Sequence, residues 1–283
     1  MKRRKIEEAV FKAMMVASML IVAGVLLTII IIVTWKGLPA LNLSMITETP
    51  KGGYYMGKEG GILNAIIGSL YLGIGATALA LAISLPVALF LQHEYIGRTR
   101  FVSLVTLSLD ILWGVPSIVL GAFGFIIMLY LGMRASLLAG VMTLTLLEIP
   151  IMTRAMYEVL RTVPRDLKDA SYALGATRLE TTLKVTARQV LPGILTGVLL
   201  AFGRGIGDAA SILFTAGYTD RIPTSLLDPV ASLPLAIFFQ LGTPFPEVRE
   251  RAYASAVILL VIILLISIVS RLISRRLSKH VIR

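Results

Sequence analysis

Long apolar runs alternate along the chain with polar stretches of very unequal length. Ala13 to Val33 is uncharged over its whole length, enough for a helix to cross a bilayer. Ile62 to Leu91, Phe101 to Leu131, Gly193 to Ala216 and Ala252 to Ser270 are also long enough, and Ser136 to Met152 is a shorter fourth span. The pattern predicts an all-α membrane protein with six spans. Gly68, Gly73, Gly75 and Pro86 interrupt the second run, whose length implies tilt, a kink or an extension past the bilayer. In the third run, Gly114 to Gly121 (GVPSIVLG) predicts local unwinding around Pro116. Gly132 to Ala135 reads as a tight turn. Gly217 to Arg251 is polar and proline-rich, and its apolar segment Leu233 to Leu241 is too short to span. That segment predicts an external helix, or a scoop over the mouth of the bundle.

The stretch Thr153 to Pro192 is different in kind, with seven Lys or Arg and two short helices legible within it. Pro164 suits the start of the first, where its missing N–H costs nothing. Leu167, Ala170, Ser171 and Leu174 then recur at helical spacing and predict one weakly apolar face. Gly175 stands where the helix must stop in a left-handed conformation. Thr177 and Glu180 have the spacing of a capping box that opens the second helix. Leu179, Leu183, Ala187 and Val190 are expected along one side of it, and Pro192 at its end or at a kink.

Charge orients these elements. The formal net charge is +11, and 19 of the 27 Lys and Arg lie in the N-terminus, Gln92–Arg100, Thr153–Pro192 and the C-terminal tail. Seven lie in the opposite loops, so both termini and the Thr153 stretch are expected in the cytoplasm. A basic pI can signal nucleic acid, but with 57% hydrophobic residues and the cations at span ends it signals a membrane protein, and no nucleic-acid partner is expected. The expected division is a basic N-terminus (1–12), a first span with its external loop (13–61), a five-span core (62–273) and a tail (274–283). The first run resembles a signal peptide in layout, yet it is too long and no small-residue cleavage site follows. Without cysteine, and with only His93 and His280, the chain has no thiolate chemistry and no convincing metal site. Gly52 to Glu59 nearly matches a phosphate-binding loop, but Glu59 replaces the required Ser or Thr and no strand precedes it.

The residues that could carry chemistry lie inside the spans. Arg204 falls about 16 Å past Gly193 at 1.5 Å per residue, near mid-membrane. An Arg there costs about 2.5–3.5 kcal/mol on insertion scales and faces a cavity or a partner. Asp208 stands at i+4 and can neutralise it. Gly203, Gly205 and Gly207 permit close helix approach or local unwinding. The pair reads either as an anion way-station, since a guanidinium matches phosphate oxygens, or as a structural ion pair. Asp110 and Glu148 are further intramembrane acids, expected in structural pairing and also candidate partners for Arg204.

Asp169, Ala170, Ser171 and Gly175 match the first four marked positions of the EAA loop of ABC-importer permeases. Farther on, Val185 takes the Ile position and Ala187-Arg188 replace Leu-Pro. With Gly114–Gly121 and Ala201–Gly217 (AFGRGIGDAASILFTAG), this loop resembles the permease subunits of phosphate ABC importers, from about Ile62 to the end. The resemblance implies a type I (MetI-like) permease fold with a cytoplasmic coupling helix. It assigns coupling to an ATPase to Asp169, Ala170, Ser171, Tyr172, Ala173, Leu174 and Gly175. It assigns the substrate path to Arg204 and Asp208, with Asp208 in place of the family's Glu. Ser211 stands where the family often has Pro, implying a smaller bend. The implied partners are a second permease subunit or a second copy, two ATPase subunits, an extracytoplasmic phosphate-binding protein and the bilayer, with no cofactor. The alternatives are a permease for another oxyanion, such as molybdate or phosphonate, and a non-transport membrane scaffold or enzyme. Against an enzyme stands the lack of a plausible catalytic constellation.

Overall fold

A computed structural model describes residues 2–51, 59–92 and 99–277. The phosphate-loop look-alike from Gly52, most of the connection after Gln92, and the tail from residue 278 lie outside the described residues. The regular structure of the described chain is helical apart from one antiparallel pair of two-residue strands, Pro50–Lys51 with Glu59–Gly60. Helix α1 spans Lys2–Gly37 and α2 spans Leu43–Thr47. Helix α3, Leu63–Phe90, runs unbroken through its glycines and Pro86. Among the described residues four helices are long and apolar enough to cross a membrane, and up to six crossings result if each of two bent pairs is one span.

The first bent pair is the predicted third span. Helices α4 (Arg100–Gly114) and α5 (Ser117–Tyr130) meet at 101° across Val115-Pro116. Proline disfavours a helical conformation at the residue before it, and Val115 is extended. The unwinding expected at this motif is therefore a full break. A turn with positive φ at Gly132 leads into α6, Leu137–Leu160. This helix continues eight residues past the predicted limit of the fourth span. Its buried stripe runs on through Met152, Met156 and Leu160, while Arg154 and Glu158 occupy another face. The charges that appeared to end the span thus lie alongside a continuing core.

Two short helices follow, α7 (Arg165–Ala173) and α8 (Arg178–Gln189). The second bent pair is α8 with α9, Leu191–Ile206, at 73° beside Pro192. The predicted fifth span is corrected here, because Gly207 to Ala216 is a run of turns and not helix. Three alternate glycines weaken the helix at this point. Asp208 Oδ1 also accepts from the Ala210 N–H at 3.0 Å, a local bond that competes with the helical ladder. The smaller bend inferred from Ser211 does not apply, since the helix has already ended.

Helix α10, Leu233–Leu241, and α11, Pro246–Leu277, complete the fold. The segment expected over the mouth joins the core at its start, while Phe238 and Leu241 remain exposed. Val230, Ala231, Leu233 and Leu235 are fully buried, and Ser69 Oγ accepts the Leu233 N–H at 2.8 Å. Gly68 of α3 makes this possible, because a Cβ there would collide with the Ala231 carbonyl. The core lies mainly between α3, α6 and α9, with Leu72, Leu144 and Ile212 at one end and Met152, Met156 and Ile194 at the other. Most of α1 is exposed; its C-terminal end meets α11, where Lys36 lies over the Tyr253 ring and Gly37 abuts the Tyr253 backbone.

Candidate functional site

Arg204 occupies the last turn of α9, where the helix dipole favours a cation. Its Nη1 lies 3.4 Å from Asp208 Oδ2, so the predicted i+4 pair forms, across the point where the helix stops. The two partners differ in environment. Asp208 is 5% exposed and held by the Ala210 N–H, whereas the Arg204 side chain is 49% exposed. One end of the pair is anchored, and the other is open to a groove between α9 and α11. A half-exposed guanidinium with a fixed counter-charge retains donors for a second anion.

Neither of the other intramembrane acids pairs with Arg204. Asp110 on α4 meets Arg154 of α6 at 3.4 Å, and Arg154 also reaches Glu158 at 3.0 Å. Glu148 is fully buried and accepts from Thr77 Oγ1 at 2.8 Å. Its other oxygen has no hydrogen-bond partner and lies against Gly205. A Cβ at Gly205 would collide with it, so the glycine makes room for this carboxyl group. The juxtaposition was not legible in the sequence, which shows Glu148 and Gly205 only as separate features of two helices.

The second cluster is built by local rules. Helix α7 ends in a Schellman motif: the Gly175 N–H reaches the Tyr172 carbonyl at 2.9 Å and the Ala176 N–H reaches the Ser171 carbonyl at 3.2 Å. Gly175 has φ of +84°, as its position predicts. Thr177 and Glu180 form both bonds of the capping box. Hydrogen bonds from the Thr177 backbone and from Lys184 and Thr177 side chains lower the Glu180 carboxyl to about 2. Ser171 Oγ lies 2.9 Å from Thr181 Oγ1 and ties the two helices together.

The predicted apolar faces are only partly correct. Leu167 and Ser171 turn inward, while Asp169, Ala170, Ala173 and Gly175 are exposed and Leu174 is 89% exposed. Tyr172 is half-buried. In α8, Leu179 and Leu183 face outward, and Thr181, Thr182 and Thr186 are buried in their place. The cause is a π-helical segment, Thr181–Thr186, in which the Ala187 N–H bonds to Thr182. Its extra residue per turn rotates the leucines out of line with Val190, which remains buried. A uniform 3.6-residue period would have kept Leu179, Leu183, Ala187 and Val190 on one side.

Comparison with solved structures defines the class. The fold matches a chain of the methionine ABC transporter MetNI in an inward-facing conformation, with a TM-score of 0.63 at 20% identity, covering 76% of this chain and 95% of that one. An amino acid ABC transporter matches with a TM-score of 0.57, also at 20% identity, over 76% of this chain and 92% of that one. The architecture is the type I ABC-importer permease fold. The model of binding-protein-dependent transport system inner membrane components matches residues 84–281, and the chain belongs to that family. It is 32% identical over 262 residues to phosphate transport system permease protein PstA 2 of Mycobacterium bovis, spanning 92% of this chain and 85% of the relative. It is 36% identical to PstA of Yersinia pestis, over 79% of this chain and 75% of the relative.

Proposed function

We propose that this chain is the transmembrane permease subunit of an ATP-driven phosphate importer. The observation that carries the reading is the Arg204–Asp208 pair at the broken end of α9, with the carboxylate anchored and the guanidinium half-open to a groove. A planar guanidinium suits phosphate oxygens, and a nearby carboxylate limits how tightly the anion is held. Likeness to phosphate transport permeases along most of the chain supports phosphate over other oxyanions. ATP hydrolysis takes place on two separate subunits. Phosphate arrives from an extracytoplasmic binding protein, and a second permease subunit, a paralogue or another copy, completes the path. Both termini and Asp169–Gly175 face the cytoplasm. The division into N-terminus, first span, five-span core and tail follows from that topology.

Coupling follows from the geometry of α7 and α8. Ala170, Ala173 and Leu174 form the exposed edge that docks on an ATPase subunit. The Schellman turn, the capping box and the Ser171–Thr181 bond make the two helices one stiff unit. ATPase movement is transmitted through α8 and the 73° bend into α9, at whose far end Arg204 lies.

Two experiments test the reading. Arg204→Gln is expected to reduce phosphate uptake to background in membranes matched for complex content, with Arg204→Lys partly active. If Arg204 only neutralises Asp208, Arg204→Gln combined with Asp208→Asn restores uptake; full recovery would reject the path role. For topology, cysteines introduced singly at Leu174 and Glu247 in this cysteine-free chain are exposed to an impermeant thiol reagent. Position 247 is expected to label in intact cells and position 174 only after permeabilisation. Labelling of 174 from outside defeats the coupling assignment.

A further inference from the structure

We infer that the groove between α9 and α11 is the inner leg of the phosphate path, with Arg271 as its exit cation. The inference rests on the phosphate-permease reading and adds residues that the reading does not use. The groove is open along one side and has a volume of about 760 Å3. Arg204 is one of its lining residues. On α11 the lining residues Ser267, Ser270, Arg271, Ser274 and Arg275 recur at i, i+3, i+4, i+7 and i+8, a single helical stripe facing α9. From Ser267 to Arg275 this stripe extends about 12 Å along the helix. Three arginines therefore line one groove, Arg204 on α9 and the other two in the last turns of α11.

The hydroxyl groups mark the stripe as facing something polar. A serine in a membrane helix ordinarily bonds back to a carbonyl one turn earlier. Ser255, nearer the start of α11, does so, reaching the Arg251 carbonyl at 2.9 Å. Ser267, Ser270 and Ser274 have no such bond and no other protein partner among the described residues. Arg271 likewise has no ion pair among the described residues. A ladder of free hydroxyls between cations at both ends suits an anion that exchanges part of its hydration shell while moving. The large apolar residues on the opposite face of α11, Leu265 and Leu272 among them, are exposed and point away from the serines. Phosphate and an anionic lipid headgroup share the chemistry that Arg271 would recognise; the assignment here is to free phosphate.

The test uses the assembled transporter reconstituted in phosphatidylcholine vesicles, with parallel vesicles containing phosphatidylglycerol. Single cysteines at Ser267 and Ser270 are expected to react with a permanently charged thiol reagent, and inorganic phosphate to slow the reaction. A cysteine at Leu265, on the opposite face, is expected to remain unreactive. Arg271→Glu and Arg271→Gln should lower uptake, the former by about tenfold, the low end of what local charge focusing provides. Complex content and ATPase association should be unchanged, and Arg271→Lys should retain most uptake. The proposal is overturned if positions 267 and 270 are inert to the charged reagent, or if phosphate leaves their reaction rate unchanged. It also fails if both neutral and reversed Arg271 variants transport normally, or if they are impaired only with phosphatidylglycerol, which assigns the cation to lipid. Loss of uptake in Arg204→Gln alongside normal Arg271 variants would remove the groove and leave the permease reading intact. Recovery in the Arg204–Asp208 double variant would remove the Arg204 path role, and the groove with it.

Discussion

The helical pattern stops at Gly175 and again at Gly207, and the two stops are made in opposite ways. At Gly175 the chain turns at the surface, and a Cβ on the glycine would meet open space. The hydrogen bonds that close the turn connect residues at most five apart. After Gly207 the chain turns inside the molecule. Ser211, Thr215 and Ala216 are fully buried, and their backbone carbonyls are met by distant segments. The Thr215 carbonyl accepts from Ser136, the Ala216 carbonyl accepts from Val230, and Gly121 of α5 packs on the Ser211 carbonyl. A stop of the first kind is specified by a few neighbouring residues. A stop of the second kind is held by the whole bundle, because buried carbonyls must find donors wherever the fold provides them.

The sharpest way to break the comparison is to perturb the buried stop. Gly205→Val is expected to destabilise the protein by about 3 kcal/mol, because it overpacks a site already filled by the Glu148 carboxyl. Gly203→Ala, two residues away with open space around it, should be neutral or stabilise by up to about 1 kcal/mol through helix propensity. Thermal unfolding of the two purified variants in one detergent compares them directly, and equal loss would mean that Glu148 does not pack there.

At the surface stop the expected cost is smaller. Gly175→Val forces a β-branched residue to positive φ, at about 1–2 kcal/mol. The spans should insert normally while uptake and ATPase co-purification are lost. A normally coupled Gly175→Val transporter would show that the turn geometry is dispensable. Smallest of all, Thr177→Ala removes one cap for about 1 kcal/mol, read as a lower melting temperature. The Glu180 side of that cap has a defined pH window. Its folded value, about 2, lies below the ordinary 4.5, so its stabilisation is present above about 4.5 and fades as pH falls toward 2. The melting temperatures of wild type and Glu180→Gln should therefore converge in acid.

This contrast explains what was legible in advance. Pro164, Gly175, the Thr177–Glu180 box and Pro192 were all readable because each acts through neighbours in sequence. So was the Arg204–Asp208 pair, one helical turn apart. The limits of α6 and α9 were not, and for opposite reasons. Arg154 resembled the end of a span, but Asp110 of another helix receives it. Gly207 to Ala216 read as the rest of a span, but it is unwound, and the donors that meet its last carbonyls come from Ser136 and Val230. The site of ligand access was partly readable. Arg204 stood out as a charge in an apolar run, whereas the matching stripe on α11 acquires meaning only when the two helices are side by side.

The π segment of α8 acts as a phase shifter. Each residue of an α-helix advances the face by about 100°, so one surplus residue sets the surfaces on its two sides a quarter-turn or more apart. Leu179 lies before that offset, Leu183 within it and Val190 beyond it. One continuous rod can thereby offer a leucine surface outward at its Arg178 end and seat itself in the bundle at its Gln189 end. Removing a single residue between Thr181 and Thr186 would bring the two surfaces back into register, and the rod would have to choose between them.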